Sequence, residues 1–282
     1  MKILSCGAGQ QSTALALMSC ENAIMGKDRH PLVPIYDAIL FCDLGGERKW
    51  VYEQVNFIAE CCDRAGIYFK VLHNKKLKED YMNNYGKARV CTIPFWSIDE
   101  NGKKGKMTRH CTIDYKILQM QNYVRWELLG YRKGERTRPE DIQAHEMHIG
   151  FTSEERQRIF DSKHKLFINK FPMVEMGLVR ADNYTYVKEY WGLETKGSAC
   201  LFCPFHTNYF FLECKENCQR DYEIILAIDE KLENGIPNTR IGVPNSKVFI
   251  SRSRKRIKNL LPEECNDSEC FDYQGEKIWN GF

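Results

Sequence analysis

Short apolar runs alternate with longer segments of helical periodicity through the first half of the chain. Residues 37–42 form an apolar run that predicts a buried strand, and residues 67–72 alternate as a strand does. Between these runs, residues 51–65 carry apolar side chains at helical spacing and are followed by Gly66, a common residue at helix ends. Strands that alternate with helices predict an α/β fold, a Rossmann-like parallel sheet with helices on both faces.

The pattern continues beyond this region and then changes. Residues 111–129 predict a long helix, residues 146–150 predict a strand, and Ser153 predicts the start of a further helix. The polar stretch 101–106 predicts an exposed hairpin turn or a mobile flap. From about Lys170 onward the strand signal fades, which leaves helices, a cysteine-rich loop and a basic tail.

This change divides the chain into two expected domains, an α/β domain over residues 1–170 and a mainly helical region over residues 171–282.

Hydrophobic content of 43% and charged content of 28% are those of a globular protein. No apolar stretch approaches the roughly 20 residues that cross a bilayer, and the first residues resemble neither a signal peptide nor a transit peptide. We therefore expect a cytoplasmic protein that does not associate with membranes.

The loop after the first apolar run predicts a phosphate-binding site. A strand, a loop of small residues and a helix together aim backbone N–H groups and a positive helix end at an anion. The loop SCGAGQQST lacks the lysine of the GxxxxGK[ST] pattern and has Ser12 where GxGxxG has its third glycine. A tight strand–helix turn without a ligand is the alternative interpretation. The candidate binding residues are Ser5, Gly7, Gly9, Gln11, Ser12 and Thr13.

Two carboxylates follow the second predicted strand. Asp43 and Glu47 flank a pair of glycines, where a carboxylate could hold a ribose hydroxyl or Mg²⁺. The alternative is a helix cap at Asp43 and a first-turn acid at Glu47. Because ligands of parallel sheets bind beyond the carboxyl ends of the strands, we expect residues 5–13, 43–47 and 150–158 to meet at one site.

Cysteine usage predicts a metal, cluster or redox site. The chain has thirteen cysteines, an odd number, and shows no export signal, which argues against a disulfide framework. Cys200 and Cys203 form a CxxC pair that suits an iron–sulfur cluster, Zn²⁺ or a redox dithiol. Cys265 and Cys270 could be a redox pair or two unpaired thiols.

A third ligand is expected at Cys111, which follows Arg109 and begins a predicted helix. Neighbouring cations and the helix end should favour its thiolate. The candidates for a fourth ligand are His206, Cys91, Cys214 and Cys218. Cysteines on helical segments, such as Cys61, are expected to pack as small apolar residues.

Cations close to these elements are candidates for catalysis. Lys116, Arg156 and Arg158 could hold phosphate oxygens, although arginines on helices are often solvated surface residues. The net charge of +3 is too small to indicate nucleic-acid binding by itself. Residues 252–258 form a basic run that either follows a nucleic-acid backbone or is a solvated face.

Six segments in order, SCGAGQQSTALALM, LFCDLGGE, RHCTIDYKI, GFTSEERQR, FPMVEMGLVR and SACLFCPF, resemble the PP-loop superfamily. The resemblance is to the phosphoadenosine-phosphosulfate-reductase-like branch, with its phage and mobile-element members, and covers roughly residues 1–215. The RHCT and CxxC segments resemble the sulfur-transfer proteins of DNA phosphorothioation. The resemblance to the PP-loop superfamily implies an adenine-nucleotide α-hydrolase fold that binds ATP or a related adenylate with Mg²⁺. The resemblance in the cysteine segments implies a [4Fe-4S] cluster on Cys111, Cys200 and Cys203, with zinc as the alternative. Asp43 would face the nucleotide.

Two departures from the family pattern bear on the chemistry. The loop of the ATP pyrophosphatases reads SGGxDS, whereas here Gln11 replaces the acid and Ala8 occupies a glycine position. Gln cannot serve as a charged Mg²⁺ ligand, so nucleotide binding is better supported than ATP cleavage. The ECGxH tail of the reductases is also missing.

The expected function is adenylation of an acceptor by ATP, after which a sulfur or nitrogen nucleophile displaces AMP. Nucleic acid is the expected acceptor, a sulfur donor protein the expected partner, and a homodimer is compatible with the sequence. One alternative is a thiol-dependent sulfonucleotide reductase that uses Cys265 or Cys270. Another is a non-catalytic nucleotide- or nucleic-acid-binding module with a structural zinc ion.

Overall fold

The computed structural model describes residues 1–26, 29–73, 77–85, 87–198, 200–233 and 246–264. The chain forms two units that interleave along the sequence. The sheet unit comprises residues 1–42, 49–72 and 120–198, and the cysteine unit comprises residues 43–48, 73–119 and the described part of 199–282. This differs from the consecutive division expected at residue 170, because both units take segments from the first half of the chain.

The described part of the chain forms the following strands and helices, numbered in chain order. The strands are β1 (Lys2–Cys6), β2 (Ala38–Cys42), β3 (Tyr68–Leu72), β4 (Trp96–Ile98), β5 (Lys104–Lys106), β6 (His145–Ile149), β7 (Phe167–Lys170) and β8 (Lys247–Phe249). The helices are α1 (Gln10–Met25), α2 (Lys49–Ala65), α3 (Leu77–Asn84), α4 (Leu118–Tyr123), α5 (Pro172–Glu175), α6 (Arg180–Trp191), α7 (Asn208–Asn217) and α8 (Gln219–Glu233).

The sheet unit is built on five parallel strands in the order β3-β2-β1-β6-β7. On the central strand, Leu4 lies opposite Ile39 of β2 and His148 of β6. The chain winds outward from β1 to β3 and then resumes on the other side at β6, so the strand order reverses between β1 and β6. Such a reversal is the place where open α/β sheets bind ligands.

Two hydrophobic cores cover the two faces of this sheet. Leu4 and Phe41 point to one face and pack with residues of α1, α2 and α6. Ile3 and Leu40 point to the other face and pack with Met120 and other apolar residues of the helical segment around α4. The predicted α/β fold with a parallel sheet and helices is therefore confirmed.

Several elements differ from the sequence-based prediction in detail. The long helix predicted over residues 111–129 is helical but contains two π-helical turns, Ile113–Ile117 and Val124–Leu128. Where a helix is predicted from Ser153, the structure has two short 3₁₀ turns within Ser153–Arg158, separated by a kink at Glu155. Strands β7 and β8 have three or four residues each, too few to show a clear alternation.

The cysteine unit contains an antiparallel sheet in the order β5-β4-β8. Strands β4 and β5 form a hairpin around residues 99–103, which confirms the predicted turn. Large buried side chains from α3, α7 and α8 fill the core of this unit, among them Tyr81, Phe211 and Ile225. None of the helices in the described ranges is long and apolar enough to cross a membrane.

Helix α1 should be the most sensitive element to core truncation, since it is buried along most of its length. Leu15 is fully buried, so Leu15→Ala should lower the free energy of unfolding by about 3 kcal/mol in urea titrations. The control is Ile24→Ala on the same helix, where the side chain is 59% exposed and the loss should stay below about 0.5 kcal/mol. Equal losses from the two variants would contradict the central position of α1.

Candidate functional site

The loop between β1 and α1 turns sharply over the helix N-terminus. The Gly7 N–H donates to Ser12 Oγ at 3.1 Å, and Ser12 Oγ lies 3.4 Å from the Gly9 carbonyl oxygen. Ala8 has a φ of +52°, in the left-handed region that L-residues rarely adopt. Gly9 precedes the helix, whose first turn has no acidic residue, and no side chain in the described residues caps it. Its first N–H groups therefore remain suited to an anion.

Thr13 lies at the start of α1 and is completely buried. Its N–H donates to the Gly9 carbonyl oxygen at 3.0 Å, whereas its hydroxyl has no hydrogen-bond partner among the described residues. Buried hydroxyls are normally satisfied, so this one is a candidate donor to a phosphate oxygen. Ser5 lies in β1 opposite Ile149 of β6 and is half-buried.

The end of β6 approaches this loop very closely. A Cβ atom on Gly150 would lie 3.1 Å from the Ser12 backbone nitrogen, so any other residue would require the backbone here to shift by a few tenths of an ångström. Beyond it, Gln11 Nε2 donates to Glu155 Oε2 at 3.0 Å. The structure thus brings together two of the three segments expected to meet, residues 5–13 and 150–158. The third, residues 43–47, belongs to the cysteine unit and is described below.

The two candidate arginines lie in the 3₁₀ segment that carries Glu155. Arg158 forms an ion pair with Glu155 and its guanidinium lies 4.3 Å from the centroid of the Phe151 ring. Arg156 is exposed on the same segment. The carboxylate of Glu155 therefore links the loop residue Gln11 to Arg158.

A polar residue that sequence reasoning missed holds the loop from the other side. Gln54 Nε2 donates to the carbonyl oxygens of Ala8 and Lys196, the latter at 3.3 Å, and Gln54 Oε1 accepts from the Lys196 N–H at 2.7 Å. Gln54 is buried on the apolar side of α2 between Val51 and Val55. A glutamine at an apolar position of the helical pattern was the available signal.

The segment around residues 195–198 covers the two glycines of the loop. A Cβ on Gly9 would lie 3.0 Å from Ser198 Oγ, whereas one on Gly7 would lie 3.6 Å away, an ordinary contact. A separate cavity of about 410 Å³ in the sheet unit is lined by Lys2, His148 and neighbouring residues. It includes none of the loop residues.

In the cysteine unit, Asp43 closes a turn instead of capping a helix. Its Oδ1 accepts from the Gly45 N–H at 2.7 Å, and its Oδ2 lies 3.3 Å from His73 Nδ1. Glu47 is buried, and neither of its carboxylate oxygens has a hydrogen-bond partner within the described ranges. Burial raises the pKa of Glu47, nearby Lys116 opposes that rise, and Asp43 adds to it. Buried carboxyls whose pKa is raised in this way cluster at functional sites.

The CxxC loop lies in the same unit and shares this environment. The Cys200 thiol donates a hydrogen bond to Cys203, which lowers the pKa of Cys203 and raises that of Cys200. Lys116 and Arg109 also lower the pKa of Cys203, and Glu47 contributes to the rise at Cys200. The structure therefore places a buried acid beside the cysteines, an arrangement that the sequence spacing did not indicate.

Cys111 interacts electrostatically with both of these cysteines. The expectation that its thiolate would be favoured is wrong, because burial raises its pKa by more than Arg109 lowers it. The Leu201 N–H donates to the Gly46 carbonyl oxygen at 2.7 Å and so ties the CxxC loop to the Asp43–Glu47 turn. A Cβ on Gly46 would lie 3.0 Å from Phe202 Cε1, which explains the glycine there.

His206 supports the loop through its ring. Its Nε2 donates to the Cys200 carbonyl oxygen at 2.9 Å, and the ring stacks on Phe210 with centroids 3.5 Å apart. Burial lowers the pKa of His206 to about 3, so the ring is neutral. Beneath it, the buried Arg48 pairs with Glu213 at 2.9 Å and Asp221 at 3.3 Å and lies over the Phe210 ring. These ion pairs were not anticipated from the sequence.

Cys111, Cys200 and Cys203 are the candidate ligands of a metal or cluster in the cysteine unit. Three thiols of one unit that influence one another, with two of them hydrogen-bonded, have the donor chemistry that thiolate-bound iron or zinc requires. No group of three or more His, Cys, Asp or Glu side chains in the described part of the chain has an arrangement that could hold a metal ion. Among the other cysteines, Cys214 accepts a hydrogen bond from Arg48. Cys265 and Cys270 lie outside the described residues.

Comparisons with known proteins give little further information. No protein-family model matches the chain. No curated protein matches it. A solved structure that it resembles is the U34-tRNA thiolase NcsA from Methanococcus maripaludis with its [4Fe-4S] cluster, at 14% identity and a TM-score of 0.36, over 83% of this chain and 72% of that chain. A likeness at this TM-score identifies neither the fold nor the activity of this chain.

The buried Glu47 predicts a pH-dependent stability. Its folded-state pKa is raised, so the folded protein keeps a proton that the unfolded chain releases, and stability falls as the pH rises through this window. Glu47→Gln removes this loss. We expect the variant to exceed the wild type in free energy of unfolding at about pH 8 by on the order of 1 kcal/mol, with no such gain below about pH 4.

The control for this measurement is Glu53→Gln, because the Glu53 side chain is 59% exposed and pairs with the exposed Lys49. Its denaturation midpoints should follow the wild type at every pH. A stability difference for Glu47→Gln that does not change between the two pH values would contradict the raised pKa.

Proposed function

We propose that this chain is an enzyme that binds ATP through the loop after β1 and adenylates an acceptor for sulfur or nitrogen transfer. The observation that carries this proposal is the loop itself. It lies where the strand order reverses, its helix N-terminus has no acidic residue in the first turn, and the buried Thr13 hydroxyl has no partner among the described residues. Each of these features suits the phosphates of a nucleotide.

In the proposed reaction, an oxygen of the acceptor attacks the α-phosphorus of ATP and pyrophosphate leaves. A sulfur or nitrogen nucleophile then attacks the activated carbon, and AMP leaves with the oxygen. The loop N–H groups and either Arg156 or Arg158 would stabilise the charge on the α-phosphate and on the leaving pyrophosphate. Arg158 would exchange its carboxylate partner Glu155 for phosphate oxygens.

Glu155 lies next to the loop position where Gln11 replaces the acidic residue of the ATP pyrophosphatases. Gln11 is neutral, but it binds Glu155 at 3.0 Å and so holds a carboxylate next to the loop position where ATP pyrophosphatases have an acid. We propose that Glu155 supplies the negative charge for Mg²⁺ that Gln11 lacks, since Mg²⁺ in such sites is bound by one or two carboxylates and substrate phosphates.

The cysteine unit carries the sulfur-handling part of the proposal. Cys111, Cys200 and Cys203 supply the thiol donors that an iron–sulfur cluster would need, with Zn²⁺ as the alternative, although these side chains as described are not arranged to hold a metal ion. When bound, a cluster with three protein ligands supplies an iron that can carry sulfide. Lys116 would place a positive charge near the cysteines, and His206 would hold the Cys200 backbone in position. The acceptor is proposed to be a nucleic acid and the sulfur donor a partner protein.

The nucleotide proposal is tested at Thr13. Thr13→Val keeps the side-chain shape and removes a hydroxyl without a partner in the described structure, so the fold should be as stable as before or more so. ATP affinity measured by calorimetry should fall about tenfold, because a hydrogen bond to a charged phosphate is lost.

The matched control is Thr92→Val, whose hydroxyl is also buried without a partner in the described residues but lies in the cysteine unit. It should bind ATP as the wild type does. No ATP binding by the wild type, together with no pyrophosphate from labelled ATP and nucleic acid, would contradict the proposed function.

Metal analysis tests the cysteine site. Anaerobically purified protein should be brown and contain iron and acid-labile sulfide, and Cys111→Ser and Cys203→Ser should each lose them. Cys61→Ser should retain them, because that cysteine is buried on α2 in the sheet unit. Colourless protein with stoichiometric zinc would favour the structural zinc alternative, and protein with neither would contradict both.

A further inference from the structure

The small sheet of the cysteine unit has one face that is both aromatic and basic. Trp96 of β4 lies opposite Lys106 of β5 and opposite Phe249 of β8. Two positions on, Ile98 lies opposite Lys104 and Lys247 in the same way. Directly opposed residues lie on the same face of a sheet, so these aromatic, apolar and basic side chains share one face.

The alternate residues show that this face is the outer one. Val248 lies on the opposite face and is completely buried in the core of the cysteine unit. In contrast, the three lysines Lys104, Lys106 and Lys247 are exposed, and the Trp96 side chain is half-buried. Phe249 on the same face is buried, whereas the Trp96 ring remains partly accessible between the exposed lysines.

Cations are arranged around the Trp96 ring. Lys106 Nζ lies 5.5 Å from the ring centroid, and the guanidinium carbons of Arg254 and Arg252 lie 5.3 Å and 5.9 Å from it. Arg254 is held in place because it donates to the carbonyl oxygens of Ser97 and Gly105 at 3.1 and 3.2 Å. The basic run at residues 252–258 is therefore partly attached to this face and is not simply solvated.

The same face continues to the cysteine loop. Trp96 Nε1 donates to the carbonyl oxygen of Pro204, which directly follows Cys203, at 2.9 Å. The next residue, Phe205, has Lys106 at 4.9 Å and Arg109 at 5.5 Å from its ring centroid. A polymer that lies across β5, β4 and β8 would therefore reach the CxxC loop.

We propose that this basic-aromatic face, defined by Trp96, Phe205, Lys104, Lys106, Arg109 and Arg254, binds a single-stranded nucleic acid. Unpaired bases stack on the aromatic rings, and the lysines and arginines neutralise the phosphates. A duplex hides its base faces and cannot use the rings. The proposal rests on the proposed function only for the statement that the bound strand is the acceptor.

Charge favours this occupant over an acidic protein surface. The acidic residues of the hairpin are Asp99 and Glu100, and Asp99 accepts backbone N–H groups of the turn at 2.8 and 2.9 Å. The exposed cations of the face outnumber these two acids. Acidic proteins offer carboxylates without stacking partners, so the ring of Trp96 would gain nothing from them.

The test is fluorescence anisotropy of the full chain with a labelled single-stranded RNA, a single-stranded DNA and a duplex of the same length. We expect binding of a single strand that weakens with salt and exceeds duplex binding. Trp96→Ala should weaken it about tenfold, the effect of losing one stacked base, whereas Trp96→Phe should restore most of it. Trp126→Ala, an exposed tryptophan of the sheet unit, is the matched control and should change nothing.

A second variant avoids any effect on folding. Lys104→Gln with Lys106→Gln alters two exposed side chains and should reduce the slope of log affinity against log salt by about 0.7 for each lost phosphate contact. Lys49→Gln, in the sheet unit, should leave the slope unchanged.

The proposal is wrong if a duplex binds as tightly as a single strand. It is also wrong if neither the Trp96 variants nor the lysine variant changes single-strand binding, or if the protein binds anionic vesicles and not the oligonucleotides. The outcome is separable from the proposed function. If the protein binds single strands but does not cleave ATP, the nucleic-acid proposal stands and the adenylation proposal fails. If it releases pyrophosphate but binds no single strand, only the nucleic-acid proposal fails.

Discussion

The close approach of backbone to backbone at the start of α1 is the constraint on which the sheet unit depends. Gly150 allows the end of β6 to come within van der Waals distance of the Ser12 nitrogen, and Gly9 allows residues 195–198 to pack on the other side. A side chain at either position would require its neighbours to shift. Because they meet here, the helix N-terminus, the Thr13 hydroxyl and the carboxylate of Glu155 surround one loop. The chemistry proposed for ATP follows from this arrangement.

The cysteine unit is organised by buried polar groups. The hydrogen bond from the Leu201 N–H to the Gly46 carbonyl oxygen joins the CxxC loop to the turn that contains Glu47. The neutral His206 ring donates a hydrogen bond to the Cys200 carbonyl oxygen. Arg48 and its two carboxylates lie below this ring, where removing one partner would leave uncompensated buried charge. These hydrogen bonds and ion pairs position the CxxC loop more strictly than apolar packing alone would.

Sequence reasoning was most successful where local chemistry decides local structure. The parallel strands β1, β2, β3 and β6, the helices α1 and α2 and the β4–β5 hairpin were predicted because each has a clear period or turn signal. It was less successful at Ser153, where a helix start signal leads only to two 3₁₀ turns separated by a kink at Glu155. It was wrong about the Cys111 thiolate, because burial depends on residues distant in sequence.

The sequence alone determined the α/β class, the position of the glycine-containing loop between β1 and α1, and the CxxC spacing, since periodicity, glycine placement and cysteine spacing are local properties. Only the tertiary structure decided that Gln11 holds Glu155, that Gln54 holds Ala8, and that a buried Glu47 lies near the CxxC loop. These pairs are separated by 46 to 153 positions, and no local pattern specifies which distant side chains will be packed together. The same reason applies to the face around Trp96, which the register of three short strands creates.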